Sequence, residues 1–420
     1  MIMKKIFNKF KPDLCELSAY CTKKKTLSNN APTIETSYTN SYFWFACIVF
    51  FSLTFYLFWC QSQYENMNGL FPSDLPVHLY YGAKGESYSL SSVVFYIATK
   101  LFKGQTATVI SVAFLAFCNI FSVVIIRNLM LKTINDKSKS YLIDAISISL
   151  FLLSMLFWPS EQYAYLVRST PNVWHNSTSL VCRLFSILTV IKFFEVFNFY
   201  DKFKNKEITC KKLVFEYLLL ALFATLCMFA KASFLSAFLP ACVIVLLGKL
   251  ITSKGKSFMP SLFVGLSFIP SMFVLYIQNS ILFPENGESS VIFAPFLVIL
   301  SRLDIHIYFI NMIIGIAFPL FVFTFTFRRI NFQEAVLYLS YAISQLIYIL
   351  FAESGSRLNH GNFGWGIILT SFFIFYIAIV RLLKPDTPKI IKRIGFMLFS
   401  LHVVCGIIYF SKLLLGLTYL

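Results

Sequence analysis

Asp74 is the residue whose type and setting most readily suggest chemistry. It stands in Phe71-Pro72-Ser73-Asp74-Leu75-Pro76-Val77-His78, just beyond a long apolar run. A carboxylate at such a border can act as general base toward a hydroxyl or hold a divalent cation. It can equally serve as a helix N-cap, with Pro76 in the first turn and His78 four residues on. The two uses are compatible, because a cap would fix the geometry of the carboxylate.

Three further groups share this character. Glu161, Arg168 and the run Pro171-Asn172-Val173-Trp174-His175-Asn176-Ser177-Thr178 are dense in side chains that hydrogen-bond hydroxyls and phosphates. Trp174 would offer a ring face to the C–H groups of a sugar, with Arg168, His175 and Asn176 as polar contacts; the structural alternative is an interfacial Trp followed by an Asn-Ser-Thr helix cap. Ala230-Lys231-Ala232-Ser233-Phe234 separates two apolar runs so tightly that Lys231 must sit at a membrane edge, as a snorkelling lysine or as a contact for a lipid-borne phosphate. The fourth group runs from Glu353 through Ser354-Gly355-Ser356-Arg357-Leu358-Asn359-His360-Gly361 to Trp365-Gly366. Arg357 can grip phosphate through its forked donors with His360 beside it, while a Glu353–Arg357 ion pair is the structural alternative.

The elements that must position these groups are membrane spans. Of 420 residues, 58% are hydrophobic and only 13% charged, and 49 Phe with 22 Tyr exceed what the core of a water-soluble chain this size can hide. A soluble enzyme is thereby excluded. Apolar runs near 43–61, 107–126, 142–158, 178–198, 213–230, 233–251, 260–278, 307–327, 334–351, 363–381 and 394–411 predict about eleven helices able to cross the hydrocarbon. The runs are continuously apolar, so the fold class is all-α rather than a barrel of alternating strands.

The net charge of +17 is unevenly spread. Most Lys and Arg fall in one alternating set of loops, beginning with the basic segment 1–42, which places that set and the N-terminus in the cytoplasm. Residues 43–420 then form a single transmembrane domain with extracytoplasmic loops at about 62–106, 159–177, 279–306 and 352–362. Those outer loops hold or border His78, His175, His306 and His360, whereas the inner ones are short and basic. No P-loop or dinucleotide-binding motif lies on the inner face, which argues against ATP-driven transport. The N-terminal lysines read as an arm near anionic membrane lipids, not as a nucleic-acid site. Ten scattered Cys without a C-x-x-C pair fit buried thiols. In the first outer loop Leu90, Val93, Val94, Ile97, Leu101 and Phe102 recur at helical spacing with Lys100 and Lys103 between them, predicting an amphipathic helix in the interface. Val291–Leu300 is apolar but too short to span and reads as re-entrant or interfacial.

Ser73-Asp74, the interfacial helix after it, the Ala230–Phe234 hairpin and the Glu353–Arg357 loop together resemble the GT-C superfamily of polytopic glycosyltransferases; the last two resemble elements of its phage-type O-antigen glucosyltransferases. The resemblance implies inverting transfer of a sugar from a polyprenyl (undecaprenyl) phosphate or diphosphate donor to a surface-glycan or lipid-linked acceptor, as in lipopolysaccharide biosynthesis at the inner membrane. By it, Asp74 is the acidic base, and Lys231, Arg357 and His360 contact the donor phosphate. His78, Arg168, Trp174, His175, Asn176 and Glu353 would line the substrate. Many members carry paired acids in the first loop, whereas Asp74 stands alone, leaving a divalent cation as a possibility but not a requirement. A polysaccharide polymerase and a lipid-linked oligosaccharide flippase are the alternative readings.

Overall fold

The computed structural model describes residues 40–63, 69–86, 89–157, 170–282, 290–302 and 304–417. It is an all-α polytopic membrane protein. Among the described residues, seven helices are long and apolar enough to cross a membrane: α1 Ser41–Ser62, α4 Gln105–Ile134, α7 Cys210–Ala230, α8 Ser233–Thr252, α9 Phe258–Leu282, α14 Trp365–Leu383 and α15 Lys389–Leu414. In hydrocarbon every backbone N–H and C=O must be satisfied within the chain, and a continuous helix does this by itself. Helix α14 is the central post, buried along nearly all its length. Helices α6 Ser177–Lys204 and α13 Phe332–Leu350 are also long, but they carry buried polar residues, Arg183 and Glu334 among them. Helices α2 Leu75–Lys84 and α3 Leu90–Leu101 form a short pair at one end of the bundle.

Two predicted spans are interrupted. The run expected over 142–158 holds only α5, Ser140–Ser149; the chain then turns and leaves helical geometry through Phe157. Its freed carbonyls are met by side chains from elsewhere. Asn172 Nδ2 donates to the carbonyls of Leu150 and Leu153 at 3.0 and 2.9 Å. The Ser154 N–H donates to the His402 carbonyl, and the His402 ring bonds the Ser154 carbonyl through Nδ1 at 2.7 Å. Close approach to α15 depends on Gly406, where an added Cβ would collide with the Leu152 carbonyl oxygen.

The second interruption is a 70° bend between α11 Ile305–Gly315 and α12 Ala317–Thr326. There the Phe318 N–H donates to His402 Nε2 at 3.4 Å. A ring that donates at Nδ1 and accepts at Nε2 is neutral imidazole, so one uncharged His402 serves both interrupted spans.

The apolar stretch from Val291 opens as a strand and not as a helix. Strand β1 Val291–Phe293 pairs antiparallel with β2 Phe351–Glu353, Val291 opposite Glu353, and the short α10 Leu297–Leu300 follows. This two-stranded ribbon ties the 279–306 loop to the 352–362 loop.

Most ion pairs in partly or fully buried settings gather at one end of the bundle: Arg127 with Asp144, Glu216 with Lys192 and Lys212 at 2.6 Å each, and Arg381 with Glu334. Helix connectivity places Asp74, Lys231 and the ribbon at the opposite end.

Candidate functional site

Three segments meet where α2 begins. Ser73 Oγ donates to the His175 carbonyl at 2.8 Å and accepts from the Leu75 N–H at 3.1 Å. The Asp74 N–H also reaches the His175 carbonyl, at 3.3 Å. Ser73 thus takes the capping work that the sequence offered to Asp74, whose carboxylate makes no cap bond although the residue occupies the N-cap position. Asp74 Oδ2 instead accepts from Asn176 Nδ2 at 3.2 Å.

Asn176 is the hub. As N-cap of α6 its Oδ1 accepts from the Ser179 N–H at 3.0 Å, from Thr178 Oγ1 at 2.8 Å and from Lys231 Nζ at 3.1 Å. With every donor on Oδ1, the amide orientation is settled by its bonds: Nδ2 must face Asp74. Lys231 leaves α7 in extended geometry, donates also to Thr178 Oγ1 at 3.1 Å, and lies over the Trp365 ring, 4.1 Å from its centre. A carboxylate and an ammonium from positions far apart in sequence therefore sit on the two ends of one buried amide.

Burial pushes the Lys231 ammonium down to about 8, against an opposing pull from Cys182 and Asp74. It likewise pushes His78 down to about 4, with Asp74 raising and Lys231 lowering it. His175, wholly enclosed, is pushed to about 4 by the same causes. Both imidazoles are neutral at pH 7 while Lys231 remains mostly cationic. His78 lies one turn from Asp74 and bonds Ser177 Oγ through Nδ1 at 2.7 Å. The arrangement can accept a proton at Asp74 and stabilise a nearby anion with Lys231.

Several expectations change. Trp174 offers no face to a sugar: its ring is 1% exposed, packed among Phe50, Phe58 and Phe410. His175 is equally enclosed, 5.8 Å from the Trp365 ring, and contributes its carbonyl to Ser73 and Asp74. Asn176 is buried, and its amide is engaged by Asp74, Thr178, Ser179 and Lys231. Arg168 lies outside the described residues.

Glu353, Arg357 and His360 belong to a neighbouring cluster. Arg357 pairs with buried Glu353 at 3.3 Å, which also accepts from Asn362 Nδ2 at 2.5 Å. Gly361, at φ +65°, lets the Arg302 guanidinium pack against it; a Cβ there would meet Nη2 at 2.9 Å. His360 is exposed at the end of this turn. The two clusters adjoin through the first turn of α14, where Trp365 lies against Lys231 and Gly366 packs on the Ser233 carbonyl.

For Trp365 the sequence offers one signal, a tryptophan closing a glycine-rich turn; for Arg302 it offers none. Beside the site, α3 buries Ser91, Ser92, Phe95 and Ala98 and exposes Val93, Tyr96, Ile97 and Leu101. Among the described residues no three His, Cys, Asp or Glu come together as metal ligands. The chain matches no family model, no curated protein and no solved structure.

Proposed function

We propose that this chain is a GT-C-type membrane glycosyltransferase of the inner membrane, moving a sugar from a polyprenyl (di)phosphate donor to a surface-glycan acceptor on the extracytoplasmic face. The observation that carries the reading is the Asp74–Asn176–Lys231 bridge beside a helix with an exposed apolar face. Asp74 deprotonates the acceptor hydroxyl, whose oxygen displaces the prenyl phosphate at the sugar's anomeric carbon with inversion. Lys231 stabilises the departing phosphate, with Arg357 and Arg302 in the adjoining cluster as further cations. The apolar face of α3 fits the prenyl chain. A divalent cation, if used, would bind Asp74 and complete its shell from donor phosphate and water. In this reading the chain crosses eleven times, the interrupted segments and the two long polar-faced helices included, with the N-terminus cytoplasmic.

A polymerase joining lipid-linked repeat units would use the same base and cation. The flippase reading is favoured by a separate observation: two interrupted spans meet at His402, and such breaks mark substrate paths in transporters. The surface glycan of cells with and without the gene distinguishes all three. Loss of a side branch is the expected result. Shortened chains would replace the proposal with a polymerase, and lipid-linked units accumulating on the inner leaflet would replace it with a flippase.

A further inference from the structure

At the end of the bundle opposite Asp74, a cleft of about 520 Å³ opens between the end of α12 and the α14–α15 connection. That volume suits a small ligand or a lipid headgroup. Its floor is fixed. Arg381 holds Glu334 through Nε and Nη2 and donates to the Arg329 carbonyl at 2.8 Å, while Glu334 also caps α13. The Arg381 charge is thereby neutralised and the turn Phe327–Arg329 anchored.

The mouth is cationic. Arg329 Nη1 reaches the Asp386 carbonyl oxygen at 3.1 Å and Oδ2 at 3.3 Å, a half-exposed pair of small worth. Arg328 is exposed, and among the described residues no carboxylate lies within ion-pair distance of it. Lys384 and Lys389 flank Asp386 on the same connection. Next to these cations Phe325 and Phe327 expose 60% and 57% of their surface at the end of a membrane helix, where acyl chains begin.

We propose that this cleft seats an anionic phospholipid, its phosphate between Arg328 and Arg329 and one acyl chain along Phe325 and Phe327. Cationic pockets between spans are suited to such headgroups. A free phosphate would meet the same arginines, but the adjoining exposed phenylalanines favour a phosphate that carries a hydrocarbon chain. Asp386 competes with the phosphate for Arg329, so removing its charge should tighten binding. The site does not depend on the glycosyl-transfer reading.

The test uses full-length protein in neutral detergent, titrated separately with phosphatidylglycerol, phosphatidylcholine and inorganic phosphate, with bound lipid counted by native mass spectrometry and thermal stability followed in parallel. Phosphatidylglycerol should bind and stabilise; the other two should not. Arg328→Gln should weaken phosphatidylglycerol about fivefold and Asp386→Asn should tighten it by a similar factor, a charge near a membrane surface being worth about that much. Both positions are exposed, so the variants without lipid should melt like the wild type. Equal binding of phosphatidylcholine, an equal effect of inorganic phosphate, or affinities unmoved by both substitutions would overturn the proposal.

Discussion

Replacing Asn176 separates what its amide does for the fold from what it does for the site. In Asn176→Ala the cap of α6 is lost, at about 1 kcal/mol. The bond to Asp74 and the bond from Lys231 are lost as well, and hydrogen bonds to charged groups contribute about 1.5–3 kcal/mol each. Lys231 keeps Thr178 and the Trp365 ring, so its share is reduced. The expected total is about 3 kcal/mol, combining cap and bridge. Asn176→Ser retains a capping oxygen but cannot span Asp74 and Lys231, so about 2 kcal/mol should remain lost. Asn176→Asp keeps the cap and the Lys231 contact yet sets a second carboxylate against Asp74. One of the two then binds its proton more tightly folded than unfolded, so this variant should regain stability as pH falls. Reversible unfolding in mixed micelles, followed by circular dichroism against denaturing-detergent fraction, measures all three. A serine variant within about 0.5 kcal/mol of the wild type would refute the bridge, leaving Asn176 as a cap alone.

Other outcomes follow from the same geometry. Gly406→Ala puts a methyl group into the Leu152 carbonyl and should abolish monodisperse protein after extraction, whereas Val404→Ala on the exposed face should be silent; a wild-type melting temperature for the glycine variant would contradict the packing. His78 and His175 have folded pKa values below the ordinary one, so the unfolded chain binds more protons between about 6.5 and about 4. Stability should therefore fall as pH drops through that window, and His78→Gln should flatten the slope measured by thermal melts. A cysteine at position 360 should react with a membrane-impermeant maleimide from outside intact cells; labelling only after lysis would reverse the proposed orientation. Lys231 loses its charge as pH rises past about 8, so affinity for a polyprenyl-phosphate donor should decline there, as read by donor KM against pH.

Much of this architecture is legible in the chain because lipid imposes a simple rule: a continuous apolar run of about twenty residues becomes a helix. The rule fails at 142–158 for a physical reason. Hydropathy reports side-chain transfer, while the break is permitted by partners remote in sequence, Asn172, His402 and the missing side chain of Gly406. The site residues show the same division. Asp74 and Lys231 are conspicuous because charge at a membrane border is costly, and the structure joins them through Asn176. Which tryptophan faces the site was not legible: Trp174 and Trp365 both follow polar loops, and only packing buries the first and lays the second against Lys231. Arg357 was legible both as an anion contact and as a partner of Glu353, and the pair is present.

The most direct measurement compares surface glycans from cells expressing wild type and Asp74→Asn at matched membrane abundance. The amide preserves size and can still bond Asn176, but it cannot take a proton from an acceptor hydroxyl. The glycan should lack the added sugar, with turnover reduced by about 10² or more, the usual weight of a positioned general base. A glycan indistinguishable from the wild type would contradict the central claim and leave Asp74 as a structural link between α2 and α6.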